Sequence, residues 1–173
     1  MIDETSLKIL KILQDKARIP NIEVSRLIGM APSAVLERIR KLENLGYIAG
    51  YEVRLNPERF GHGQVAFIRV QAREALEKDA SVGDKLAEIP EVQEVHFVAG
   101  EDCYLVKMRV SDTVELGRIL REKISTLTGV LSTRTMPVLR TFKETSRIPI
   151  RQPLTTGGQL TGSSHKLPGT GFD

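Results

Sequence analysis

Residues 29–46 read GMAPSAVLERIRKLENLG, and they decide the N-terminal architecture. Pro32 suits the first turn of a helix, where its missing N–H is no loss, and Gly46 supplies a C-terminal stop. Between them Val35, Ile39 and Leu42 recur at helical spacing and define a buried face. The outward face presents Ser33, Ala34, Glu37 and Lys41, with Arg38 and Arg40 on its flanks. Upstream, Asn21 is placed to cap a short helix with Val24, Leu27 and Ile28 inward, and Gly29 ends it. Further upstream Leu7, Leu10 and Leu13, with Ile9 and Ile12 beside them, form a broad apolar stripe. Asp3 is its N-cap, and Glu4 suits the positive end of the helix dipole. Three short helices, the second and third separated only by GMA, make a helix-turn-helix layout. The β-rich stretch YIAGYEVRLNP at 47–57 is long enough for a small wing hairpin.

A helix of this kind fits the DNA major groove, where Arg and Lys reach guanine O6 and N7 or bridge phosphates. Small residues at its N-terminal end, Ser33 and Ala34, let the backbone approach the bases. The bland alternative is a solvated charged face. Three cations within 38–41, after a short helix and a tight turn, favour double-stranded DNA. Residues 1–64 hold ten Lys/Arg against eight Asp/Glu, and residues 65–144 hold twelve against thirteen. So small a basic excess gives a monomer weak affinity at physiological salt, and firm binding needs several copies.

The second zone reads strand, helix, strand, strand, helix, strand. VAFIRVQA alternates Ala66, Ile68, Val70 and Ala72 against Phe67, Arg69 and Gln71. Residues 77–89 suit a helix that Gly83 weakens. VQEVHFV and CYLVKMRV flank AGED as a hairpin. In DTVELGRILREKIST, Asp112 is the cap and Leu116, Ile119, Leu120 and Ile124 point inward. VLSTRTMPVLRTF is the last strand, and Pro137 places it at an edge or a bulge. The order βαββαβ is the ferredoxin-like split pattern, so the fold class is α+β. The expected division is 1–50 for the helix-turn-helix, 51–64 for the wing strand and linker, 65–147 for the βαββαβ domain, and 148–173 for a tail. The end of that tail, TTGGQLTGSSHKLPGTGFD, has five glycines in nineteen residues and almost no apolar content, the composition of a disordered segment.

Among 173 residues, 40% are hydrophobic and 27% charged, an ordinary globular balance, and the net charge is +3. The single cysteine, Cys103, forms no intrachain disulfide, which fits a reducing, cytoplasmic compartment. MIDETSLK carries acid where a signal peptide needs base, and no apolar run reaches the length of a membrane span. The histidines His62, His96 and His165 join no Cys–His, Ser–His–Asp or metal-ligand spacing, so no catalytic site, metal or cofactor is expected. Nothing near Cys103 in sequence marks its thiol as acidic.

Taken together, DETSLKILKILQDKARIPNIEVSRLIG, VLERIRKLENLGYIAGYEVRLNP, GEDCYLVK and TGVLSTRTMPV resemble the leucine-responsive/asparagine-regulator (Lrp/AsnC) family of transcription factors, from about Ile2 to Arg147. The resemblance implies a C-terminal regulatory domain that pairs sheets face to face in a homodimer, further association such as an octamer, and an amino-acid-like effector. It implies effector contacts at Gly100, Glu101, Asp102, Cys103, Tyr104, Thr133, Thr135, Met136, Pro137 and Val138. Strand parity sends Tyr104, Val106, Met108 and Val110 toward the helices and leaves Cys103, Leu105, Lys107, Arg109 and Phe67 on a face that a monomer exposes. Three departures stand out: Cys103 where the family carries Asp, Pro137 where a β-branched residue is usual, and Ala31 where a Ser cap is expected. Two rival readings are a siroheme-decarboxylase-like enzyme, with His96 its one candidate, and a nucleoid-organising protein with little sequence preference.

Overall fold

The computed structural model describes residues 2–73, 81–99 and 103–150. They divide into two compact units, one of Met1–Glu52 joined by the chain from Ser146, the other Val53–Thr145. Residues 146–150 fall with the helical unit, whereas the sequence division put 146–147 in the βαββαβ domain and 148–150 at the start of the tail. The rest of the expected tail, residues 151–173, lies outside the described residues.

In the first unit α1 spans Glu4–Asp15, α2 Asn21–Ile28 and α3 Pro32–Asn44. Asp3 caps α1 by accepting from the Ser6 N–H at 2.9 Å. The helices close on Ile9, Leu13, Val24, Val35, Ile39 and Leu42, each removal of such a side chain from water contributing about 1.5–3 kcal/mol. Two details depart from expectation in α2. Its N-cap is Pro20, whose carbonyl already accepts from Glu23 and Val24, so Asn21 becomes the first helical residue and caps nothing. Leu27 is exposed, because the buried side of this eight-residue helix is turned toward Ser25, whose hydroxyl donates to the Ile22 carbonyl. Gly29 does end α2, at φ 69°, the left-handed conformation that favours glycine. Gly46, at φ 72°, follows α3 and lets the Tyr47 N–H return to the Leu42 carbonyl at 2.9 Å.

The wing hairpin does not form. No strand occurs between α3 and a 3₁₀ turn at Pro57–Phe60. Tyr51, Val53 and Leu55 alternate as a strand would, yet all three are exposed. A strand needs a ladder partner, and among the described residues none pairs with this segment.

The second unit is a four-stranded antiparallel sheet in the order β2-β3-β1-β4, with β1 Gln64–Ala72, β2 Val92–Val98, β3 Cys103–Val110 and β4 Val130–Pro137. Helices α4, Val82–Ala87, and α5, Thr113–Ile119, supply the crossovers, and α5 runs on through a π-helical turn at Leu120–Ile124. This is the ferredoxin-like arrangement. One sheet face buries Ala66, Ile68, Val70, Tyr104, Val106, Met108 and Val110 against Val82, Leu86, Leu116, Ile119 and Ile124. Asp112 caps α5 through the Glu115 N–H at 2.8 Å. Pro137 closes β4, an edge strand that among the described residues pairs with β1 alone, so its missing N–H interrupts no ladder there.

The helix expected over 77–89 is shorter. Ser81 and Asp84 form a capping box that starts it at Val82, and Pro90 follows soon after its end; residues 77–80 lie outside the described residues. Gly83 has a packing reason for being glycine. A Cβ there would sit 2.7 Å from a ring carbon of Tyr104. Gly83→Ala is therefore expected to destabilise the sheet unit by about 1–3 kcal/mol, overriding its gain of about 1 kcal/mol in helix propensity. Urea denaturation of the two proteins measures the sign.

Candidate nucleic-acid interface and effector face

Helix α3 carries the residues proposed for DNA. Ser33, Glu37, Arg40 and Lys41 are exposed, and Ala34 is half-buried. Arg40 and Lys41 form no ion pair with any described residue. Arg38 differs: its guanidinium lies 2.6 Å from the Asp3 carboxylate and donates to the Ser6 hydroxyl at 3.1 Å. Asp3 therefore does two jobs, capping α1 and fixing α3 to it. Its hydrogen bonds from Ser6, and then the Arg38 guanidinium, hold its carboxyl well below the usual range. Arg38 is thus engaged inside the unit, with its side chain one third exposed. Beside it an open groove is lined by Ile2, Ser6, Met30, Ala34 and Tyr47.

Arg38→Ala is accordingly expected to cost thermal stability while leaving the salt slope of DNA binding unchanged. Lys41→Ala should lower that slope by about one unit if Lys41 meets a phosphate. Binding titrations at several salt concentrations separate the two roles.

Among the described residues, those named for the effector are spread over both sheet faces. Gly100, Glu101 and Asp102 lie outside the described residues. Tyr104 is buried on the helix side, its ring 5.2 Å from that of Phe97. Thr133 and Thr135 pair with Val70 and Ile68, which places them on the same helix-facing side, and Pro137 pairs with Ala66. Met136 pairs with Phe67 on the opposite, open face. The Val138 N–H donates to the Val65 carbonyl at 2.9 Å. Strand β1 separates Cys103 and Tyr104 from the whole β4 set.

The open face is less bare than parity suggests. Cys103 is only 3% exposed, and an Arg69 nitrogen lies 3.9 Å from its sulfur. Leu105, Lys107, Arg109 and Phe67 are half-buried. Lys107 pairs with Glu94 at 2.8 Å and Glu144 at 2.6 Å, and Arg109 also reaches Glu144. Glu144 comes from the chain after β4, which no sequence pattern assigned to this face. A donated hydrogen bond from Lys107 holds both Glu94 and Glu144 below the ordinary carboxylate range, against the opposing effect of burial. Burial pulls Lys107 down, but its two carboxylate partners together outweigh that and raise it. His96 is exposed on β2, 3.4 Å from Glu94.

These shifts fix a pH dependence. With folded values depressed, the carboxylates stabilise the unit fully above their unfolded pKa, about 4.3, and lose that contribution as pH falls through the folded values. Thermal melts should show Lys107→Met less stable than the parent at neutral pH, with the gap closing in acid.

Residues 2–49 match a model described as winged helix-turn-helix DNA-binding, and residues 65–148 match the Lrp/AsnC ligand binding domain. The fold and these matches define the class, a DNA-binding module joined to a ligand-binding one. The chain is 39% identical over 150 residues to the HTH-type transcriptional regulator FL11 of Pyrococcus horikoshii, covering 87% of this chain and 97% of that one. It is 34% identical over 151 residues to the leucine-responsive regulatory protein of Escherichia coli, covering 87% and 92%. A feast or famine regulatory protein from Mycobacterium tuberculosis, solved in complex with L-methionine, superposes with a TM-score of 0.78 at 31% identity, covering 87% and 100%. The chain belongs to the Lrp/AsnC family of transcriptional regulators. It is a DNA-binding regulator with an effector-sensing C-terminal domain. Among the described residues no helix is long and apolar enough to cross a membrane.

Proposed function

We propose that this regulator reads a specific operator through Ser33, Ala34, Glu37, Arg40 and Lys41 of α3, with Arg38 as the residue that holds the helix in position. The observation that carries the reading is the contrast between Arg38, committed to Asp3 and Ser6, and Arg40 and Lys41, exposed and unengaged among the described residues. Ser33 and Ala34 at the first turn allow close approach to the bases. Footprinting of the full chain on its own promoter, with and without these side chains, tests the assignment. Protection spread evenly over any sequence would favour the nucleoid-organising reading instead.

The working form in this reading is a cytoplasmic homodimer that associates further, as in an octamer. Phe67, Leu105 and Met136 on the open sheet face support it, as do Tyr51, Val53 and Leu55 on the unpaired linker. A second copy supplies what a single chain lacks, an apolar cover for both rows.

The effector is amino-acid-like, as is the L-methionine complexed with the mycobacterial neighbour, but it is held without the usual carboxylate. Cys103 occupies that place, buried beside Arg69 rather than offering a negative charge to an ammonium group. Calorimetry is expected to show weak binding of leucine or methionine to the parent protein and a gain with Cys103→Asp. Tight binding by the parent would overturn this reading of Cys103.

A further inference from the structure

The chain beyond β4 is anchored at two points that belong to different units. Glu144 is the first. Its carboxylate accepts from Lys107 at 2.6 Å and from Arg109, and its carbonyl from Arg54 at 3.5 Å. The side chains of Lys107 and Arg109 are only 13% and 15% exposed, so this anchor is sheltered. The second anchor follows within four residues. Arg147 pairs with Asp15 at 2.7 Å. The backbone of Ile148 meets the Gln14 amide on both sides, its N–H donating at 3.1 Å and its carbonyl accepting at 2.8 Å. An amide that donates to a backbone carbonyl and accepts from its N–H imitates a strand partner, and it recognises extended chain rather than any one side chain. Arg147 also brings a cation to the C-terminal end of α1, whose last turn holds none of its own.

Each anchor is internal to its own unit. Glu144 is held by the sheet unit, while Arg147 and Ile148 are held by α1 of the helical unit. The chain therefore passes between the units twice, at Glu52/Val53 and again at Thr145/Ser146. The first passage runs through a segment with no ladder of its own, whereas the second is pinned close on either side.

We propose that residues 144–148 are a coupling strap, through which events on the open sheet face act on α1 and, by way of Asp3 and Arg38, on α3. The proposal rests on the reading of that face as the effector and assembly surface. Anything that draws Lys107 or Arg109 away from Glu144 frees the strap at one end and removes its hold on the last turn of α1. Release of Ile148 from Gln14 does the reverse.

Hydrogen exchange on the full-length chain, read peptide by peptide, tests this with Glu144→Gln and Gln14→Ala. Glu144→Gln is expected to speed exchange in the last turn of α1, around Leu13 to Lys16, by about fivefold, the ratio that one lost hydrogen bond of ordinary strength produces. Gln14→Ala is expected to speed exchange at Val138 comparably. Unaltered protection of Val106 and Met108 shows that the sheet remains folded in both. If each substitution loosens only its own unit, the strap is a structural finishing piece and the proposal is wrong. Operator titrations of the same proteins give the second reading, a shared several-fold change in affinity for both variants. A parent protein that binds no DNA would sink the functional reading of α3, and the exchange data would still decide the strap.

Discussion

The chain carrying both Arg40→Ala and Lys41→Ala is expected to lose operator binding almost entirely while keeping its fold. Both side chains are exposed and engage no acid among the described residues, so their removal takes nothing from the core of Val35, Ile39 and Leu42. A side chain that reads a base edge contributes about 1–3 kcal/mol. Two of them give a loss of about 2–6 kcal/mol for each unit on the DNA, roughly 30-fold to 10⁴-fold at 1.4 kcal/mol per decade. A dimer carries the change twice. If both cations meet phosphate instead, affinity falls alike on specific and random DNA, and the salt slope drops by about two units per helical unit. Unchanged affinity would remove α3 from the interface.

In the proposed homodimer, Phe67→Asp combined with Leu105→Asp is expected to give monomers. In the sheet register Phe67 opposes Lys107 and Met136, while Leu105 opposes Arg69 and His96, so the two apolar side chains sit in neighbouring rows of one face. Burying each contributes about 1.5–3 kcal/mol, and a twofold interface uses every residue twice. Both are half-buried already in one chain, so their loss weakens a dimer by about 3–6 kcal/mol, before any cost of desolvating the new carboxylates. Sedimentation at micromolar concentration should show one species of single-chain mass. Because a monomer has so small a basic excess, DNA affinity should fall with it. A double variant that still sediments as an oligomer would show that another surface, such as the exposed row of Tyr51, Val53 and Leu55, is sufficient for assembly.

What was legible in the sequence was local or periodic. Pro32, Gly46, Asp3 and Asp112 mark helix ends through their own backbone and side-chain chemistry, and each does so in the structure. Strand parity separated Ala66, Ile68 and Val70 from Phe67 and Arg69 because the period of two leaves no other choice. Apart from the cap of α2, which falls one residue earlier at Pro20, what the sequence did not show is non-local. The contact of Arg38 with Asp3 joins α3 to α1 across 35 positions of chain. Residues 51–55 have strand composition, but a ladder depends on a partner that sequence does not locate. Glu144 returns to Lys107, and Gln14 meets Ile148, over separations that no periodicity encodes. Gly83 reads as a helix weakener because the Tyr104 ring that requires it comes from a different strand. The candidate effector residues were the least legible: those described are divided between two sheet faces, and 100–102 lie outside the described residues.

The most direct test is selection of bound fragments from random duplex DNA by the full-length protein, followed by footprinting of the enriched sequence. A regulator that inserts α3 from symmetric copies predicts a pseudo-palindromic site with half-sites about 34–36 Å apart, one helical turn, and protection that disappears in the Arg40→Ala, Lys41→Ala protein. Recovery of no preferred sequence, with equal affinity for every fragment and no effect of the double substitution, would contradict it.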